Sequence, residues 1–402
     1  MSVHPTRIAL LLALLAPAAQ AADTKGYLYG TVTTRAGKTY EGRLRWGTEE
    51  AFWTDHFNGN KAERPLTHDV PREHRHAREE IKVFGIDVGF RFRSDDEGRQ
   101  LVVRFGDLKS ILVEGGDEAT LVMKGGEEVS VDGGSNDIGA RISVWDRTLG
   151  EVQLDWSKIK RIDFKATPDL GSVPGRLHGT VKTISETLRG YVQWDKEECL
   201  ATDQLNGETD DGKLAVEMGK IKSIERRDSR SSSVTLKDGR ELVMSGTNDV
   251  NSENRGIFVD DPRYGRVLVS WKSFERVDFD DAGSGPGYDE FAAAGPLRGT
   301  VKTAAGATLK GRLVYDVDET YGWETLDGQQ GGLAYSIPFE MVATVVPAGH
   351  RTKVVLRGSG TEELRLKDTT DVSERNAGVF VFEGDKKTYV AWEDVRRIDF
   401  DK

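Results

Sequence analysis

Apolar residues in this chain tend to fall at every second position over short stretches. Between residues 178 and 280 the stretches "HGTVKTI", "LRGYVQWD", "SVTLKDG", "RELVMSG", "RGIFVDD" and "RVLVSW" follow one another in this way. Such alternation marks strands with one buried face. Asp238-Gly239 and Tyr264-Gly265 separate them, as antiparallel hairpins require. The best helical candidate is a single short stretch, Pro71 to Val83. The pattern predicts an all-β protein.

The same pattern occurs three times. "GTVTT" from Gly30 recurs as "GTVKT" from Gly179 and from Gly299. Each is followed by a glycine and an aromatic: Gly42 and Trp46, Gly190 and Trp194, Gly311 and Tyr315. The correspondence continues through Glu50, Glu198 and Glu319 to Gly59, Gly207 and Gly328. "WSKIKRIDF" from Trp156, "WKSFERVDF" from Trp271 and "WEDVRRIDF" from Trp392 close the three segments. Matched starts and ends in one order predict three tandem repeats, at 23–165, 176–280 and 296–402. Gly-, Pro- and Asp-rich linkers are expected at 166–175 and 281–295. The first repeat carries an insertion at about 60–104 that includes the His- and Arg-rich run His68 to Glu80.

Each repeat divides again into two units, each with four strands, a tight turn and a short fifth strand. In the second repeat the first unit is expected to run through Gly179–Ile184, Leu188–Trp194, Cys199–Asp203, Leu214–Met218 and Ile221–Arg226. A meander whose fifth strand returns to its first makes a small closed barrel without free edges. "VTLKDGRELVMSGTNDVNSENRGIFVDD" followed by "GRVLVSWKSFERVDF" resembles the two-part pattern of SH3-like and Sm-like small barrels. The resemblance implies six such barrels, two per repeat. In the Sm family an Asp and Asn on one loop and an Arg-Gly pair on another bind RNA. Asp249 and Asn254 match the first, but Val269-Ser270-Trp271 stands in place of the second. RNA binding is therefore not expected.

Residues 1–21 have the form of a secretory signal peptide, with Arg7, an apolar stretch from Ile8 to Ala16, and Ala19-Gln20-Ala21 as cleavage site. The expected location is periplasmic or secreted, and no later stretch is long enough to span a bilayer as a helix. The single Cys199 cannot form a disulfide within the chain; a half-buried strand position is expected for it. A net charge of −11 argues against a general nucleic-acid binder, which needs clustered Lys and Arg.

Candidate chemistry is sparse. Trp156, Trp271 and Trp392 recur, as do Asp137, Asp249 and Asp371, so core and turn-capping roles are expected for them. Trp53, Trp145 and Trp323 do not recur and are the candidates for facing a ligand. His68, His74 and His76 are weak candidates for a metal, because Arg72, Arg75 and Arg78 lie among them. Asp316, Asp318, Thr320, Glu324 and Asp327 resemble part of a calcium loop, but Tyr321 stands where that loop requires glycine. Ser157 to Lys160 has a Ser-x-x-Lys spacing that the other repeats do not keep, and no other catalytic motif is present. No cofactor is expected. The reading is an exported, non-enzymatic binding or structural protein of the cell envelope, multivalent through three repeats, with an envelope protein or glycan as partner. An envelope hydrolase acting on glycan or peptide and a self-assembling scaffold of rings or fibres are the alternatives.

Overall fold

A computed structural model describes residues 23–62, 66–71, 100–133, 137–358 and 362–402. The expected signal peptide, His74, His76 and most of the helical candidate lie outside these residues. The first segment holds β1 (Tyr29–Thr34), β2 (Thr39–Trp46), β3 (His56–Lys61), β4 (Gln100–Arg104) and β5 (Leu108–Val113). It continues with β6 (Glu118–Met123), β7 (Glu128–Asp132), β8 (Ile142–Asp146), β9 (Gly150–Leu154) and β10 (Ile159–Phe164). The second has β11 (His178–Thr183), β12 (Thr187–Gln193), β13 (Gln204–Thr209), β14 (Gly212–Glu217) and β15 (Ile221–Arg226). Then come β16 (Ser231–Leu236), β17 (Glu241–Ser245), β18 (Ile257–Asp261), β19 (Gly265–Val269) and β20 (Phe274–Asp280). The third has β21 (Arg298–Thr303), β22 (Thr308–Tyr315), β23 (Thr325–Gln330), β24 (Leu333–Pro338) and β25 (Val342–Ala348). It ends with β26 (Arg351–Leu356), β27 (Glu363–Leu366), β28 (Val379–Glu383), β29 (Lys386–Val390) and β30 (Val395–Phe400).

The protein is all-β, in three antiparallel sheets. The first has the order β4-β3-β7-β6-β5-β10-β1-β2-β8-β9, and the second begins with the same order, from β14 to β19. The third keeps eight of the equivalent strands, and its remaining hairpin, β23-β24, joins the second sheet through β19. Three-residue 3-10 turns such as Met218–Lys220 lead into β5, β10, β15, β25 and β30.

The expected five-stranded barrels do not close. Within each ten-strand order the two halves exchange strands: β12 pairs with β18, β13 with β17, and the two fifth strands β15 and β20 with each other. Reversing the order and swapping the halves restores it, so the second segment has an internal two-fold pattern. The physical reason lies after the second strand. Asp195 and Lys196 adopt positive φ of 49° and 61°, the Trp194–Glu198 bridge turns the chain back, and the loop to Asp203 carries it to the other half. Cys199 consequently sits in that loop rather than on a strand. The true third strand is Gln204–Thr209, whose buried face offers only Leu205 and Gly207.

The repeated glycines face one another. Gly30 is paired with Gly42, Gly179 with Gly190 and Gly299 with Gly311. A Cβ on Gly42, Gly190 or Gly311 would come within 2.0, 1.9 or 2.1 Å of the carbonyl oxygen of Trp145, Asp260 or Phe382. Strand two thus approaches its neighbour too closely for any side chain.

The segments are not beads on a string. The second and third share both a sheet and one apolar core, from Leu177 to Phe400. The core of the first takes in Phe291 from the second connecting stretch and Trp323 from the third segment. Both expected linkers are docked: Thr167 accepts the Trp53 indole N–H at 3.0 Å, and the Tyr288 ring lies 4.6 Å from Trp53. Gly190→Ala is expected to cost about 1–3 kcal/mol by overpacking. A lowered urea midpoint with an unchanged slope checks it.

Candidate functional site

Two sets of buried acids recur in the segments. The first sits beneath the strand-two aromatic. Trp46 and Trp194 each donate an indole N–H at 2.9 Å to the backbone carbonyl of Asp137 or Asp249, and the Tyr315 hydroxyl donates to that of Asp371 at 2.6 Å. The carboxylate of each Asp accepts a backbone N–H of strand three, from Asn58, Asn206 or Asp327, at 2.6 to 2.7 Å. These aspartates thus bridge to another strand. Trp156, Trp271 and Trp392 close over the same aromatics, with ring centroids 5.7 to 6.3 Å away.

Beside each Asp lies a buried glutamate. Donor oxygens of Glu49, Glu50 and Asp137 lie within 4.8 Å of one another, and so do those of Asp316, Glu319 and Asp371. Oε2 of Glu50 and of Glu198 is buried without a hydrogen-bond partner. Burial, reinforced by the neighbouring Asp137 charge, pushes the Glu50 carboxyl well up. Burial and then the Asp249 charge push Glu198 up to about 9, and burial raises Asp137 to about 7. Carboxyls this close in a dry site cannot both ionise, so the Glu50–Asp137 and Glu198–Asp249 pairs hold protons. In the second segment the Arg255 guanidinium offsets part of the charge, 2.9 Å from Asp195. An all-oxygen set also suits a hard cation. The calcium-loop residues divide between roles: Asp316 joins this cluster, whereas Asp318 and Glu324 face Lys61.

The second set lies at the contacts between segments. Asp55 accepts the backbone N–H groups of Ala51 and Phe52, Asp203 those of Cys199 and Leu200, and Glu324 those of Thr320 and Tyr321. Each of these capping carboxylates also takes a cation from another segment. Arg176 and Arg266 reach Asp55 at 3.2 and 3.3 Å, Arg45 grips Asp203 with two bonds of 2.9 and 3.0 Å, and Lys61 contacts Glu324. The first two docks are reciprocal, because each segment offers a loop carboxylate to arginine of the other: Arg45 on β2, and Arg176 just before β11 with Arg266 on β19. Between them Tyr27, Ala51, Phe52, Cys199 and Leu200 form an apolar patch.

Asp260, held 2.7 Å from Arg266, completes the network. Burial alone would raise its carboxyl, but Arg266 and Arg176 outweigh it and hold the group below its usual range. Burial keeps the Cys199 thiol well up and His56 well down, so both are neutral. The Cys199 thiol donates to the Glu49 carbonyl at 3.2 Å. It is a packed interface residue.

The tryptophans that do not recur divide as well. Trp53 has no exposed surface and Trp323 is buried, stacked on Tyr321 with 5.6 Å between centroids. Trp145 is half-buried, with the Arg43 guanidinium 3.8 Å from its ring. His68 is exposed on a 3-10 turn fixed to the third segment by an Asp69–Lys387 pair of 2.8 Å. Ser157 and Lys160 are exposed, apart from one another on a turn and a strand. Sequence reasoning missed the capping carboxylates, whose one signal was an acid five residues after Glu50, Glu198 and Glu319.

Comparison of the chain with protein-family models, with curated proteins and with solved structures gives no match.

A carboxyl that holds its proton only in the fold stabilises less as pH rises. Stability is therefore expected to fall between pH 7 and 9, where His56 no longer titrates, by up to about 1.4 kcal/mol per pH unit for each such group. Glu198→Gln should flatten that fall without lowering stability at pH 6, read by urea unfolding across pH. Asp55→Ala leaves the Ala51 and Phe52 N–H groups without their acceptor and the two buried guanidiniums sharing Asp260, and should cost about 1–3 kcal/mol, as a denaturation midpoint would show.

Proposed function

We propose that the protein is an exported, non-enzymatic structural or binding protein of the cell envelope. It presents three all-β segments as one rigid platform. The carrying observation is the way every pair of segments is joined. The first and second meet through the reciprocal Arg45–Asp203 and Arg176–Asp55 docks, and the first and third through Lys61 and the 2.7 Å Arg104–Glu340 pair. The second and third meet through the β19–β24 ladder. Buried charge pairs and a shared sheet fix spacing and direction, as a scaffold for several simultaneous contacts needs.

Export rests on the signal-like residues 1–21. The likeness to SH3-like and Sm-like barrels is supported by the group β20-β11-β12-β18-β19. That group runs in the order fifth, first, second, third and fourth strand, with β11 and β12 from the first half and β20, β18 and β19 from the second. Among the described residues no helix is long and apolar enough to cross a membrane.

The test is to fractionate cells expressing the whole chain, then to incubate the purified processed protein with isolated envelope. A new N-terminus at Ala22, location outside the cytoplasm and saturable sedimentation with envelope are expected. Cytoplasmic retention of the unprocessed chain overturns the export reading. Release of soluble glycan or peptide fragments overturns the non-enzymatic one.

A further inference from the structure

The second and third segments join edge to edge. There β19 pairs with β24 in a fixed register: Arg266 with Ser336, Val267 with Tyr335, Leu268 with Ala334 and Val269 with Leu333. At its centre Tyr264 meets Tyr335 edge to face, 5.6 Å between centroids, and both are buried.

The strand equivalent to β19 in the first segment is β9, and the strand equivalent to β24 in the second is β14. Neither has a partner on its outer edge among the described residues; β9 pairs with β8 alone and β14 with β13 alone. Four residues in succession, Gly212 to Ala215, are exposed on β14. The residue that corresponds to Tyr264 is Leu149, and the one that corresponds to Tyr335 is Leu214, opposite Gly207 as Tyr335 is opposite Gly328. Both appear among the few large apolar side chains left in solvent, Leu149 64% and Leu214 36% exposed. Two apolar residues, at the two positions that cover one another where the junction is made, are thus bare where it is not.

The turn geometry separates this edge from the one in the third segment. Gly265 lies so close to its partner strand that a Cβ would come within 2.9 Å of the Ser336 carbonyl oxygen. Its equivalent in β9 is also glycine, Gly150, with the same positive φ (76° against 82°) and open space beside it. In β29 the position is Lys386, so that edge cannot accept the same approach.

We propose that the protein associates with itself head to tail, β9 of one molecule adding as a strand to β14 of the next. The register places Glu151 against Ala215, Val152 against Leu214, Gln153 against Lys213 and Leu154 against Gly212, with Leu149 of one molecule beside Leu214 of the other. Lys213 then lies diagonally across from Glu151, an attractive pair. The two surfaces differ, so the contact is heterologous and propagates into a filament or closes into a ring. The inference is independent of envelope binding, which it neither needs nor excludes.

Sedimentation velocity and light scattering over rising concentration of the processed protein test it. Wild type is expected to grow beyond a dimer. Leu149→Asp and Leu214→Asp, both at exposed positions, should each shift association to about tenfold higher concentration or beyond. A mixture of the two variants should stop at dimers, since each keeps one competent edge. The register is read by disulfides between separately mutated chains, at Val152→Cys with Leu214→Cys and at Gln153→Cys with Lys213→Cys. One of these neighbouring pairs occupies a non-hydrogen-bonded site. The buried Cys199 leaves a low background. A monomer at every concentration overturns the proposal, as does a wild type that stops at dimers. Cross-linking of Gln153→Cys to Ala215→Cys in preference to both paired sites overturns the register.

Discussion

One kind of contact governs the arrangement of this molecule: a carboxylate that closes its own loop and receives a cation from a different segment. Asp55, Asp203 and Glu324, each just before strand three, accept two backbone N–H groups of the preceding loop, and each faces Arg or Lys from elsewhere in the chain. The hydrogen bonds give the carboxylate a fixed direction before the partner arrives, which lowers the cost of ordering a charge-assisted contact. Desolvating such pairs is expensive, and they contribute less to net stability than to choice of partner. Their value here is geometric. The loop cannot loosen without releasing a neighbouring segment, and the segment cannot leave without exposing the loop.

The same economy appears inside each segment. Two five-strand units exchange their third and fourth strands, so no unit has a complete set of neighbours without the other. The pairings that close each segment, such as β1 with β10 and β11 with β20, join stretches far apart in the chain, which favours slow and cooperative folding over independent folding of small barrels. Buried acids add a further constraint. Glu50 and Glu198 remain neutral by holding protons, so the core tolerates them less well as pH rises above the ordinary carboxyl range.

Much of this was legible in the sequence. Strand positions followed from period-two alternation, and the recurring glycines and aromatics marked the places where backbones cross and rings close over one another. Gly190 and Trp194 are constrained by local packing that each segment must solve alike, and local packing leaves a pattern. The strand exchange left none, because a third strand pairs through its backbone with whichever neighbour the loop delivers it to. Trp53 and Cys199 were misplaced for a related reason. Their surroundings come from the connecting stretches and from other segments, so their spacing in the chain carries no trace of them. Gln204–Thr209 was overlooked because Gly207 replaces the apolar residue that would have completed its alternation.

The exchange of strands has a topological consequence. The turn from Arg227 to Arg230, the covalent joint between the two halves of the second segment, is wholly exposed, yet on either side of it the halves are woven through one another by β12–β18, β13–β17 and β15–β20. A chain cut in that turn would remain one object, with the weave and not the peptide bond as its joint. Such a fold separates mechanical integrity from the continuity of the backbone.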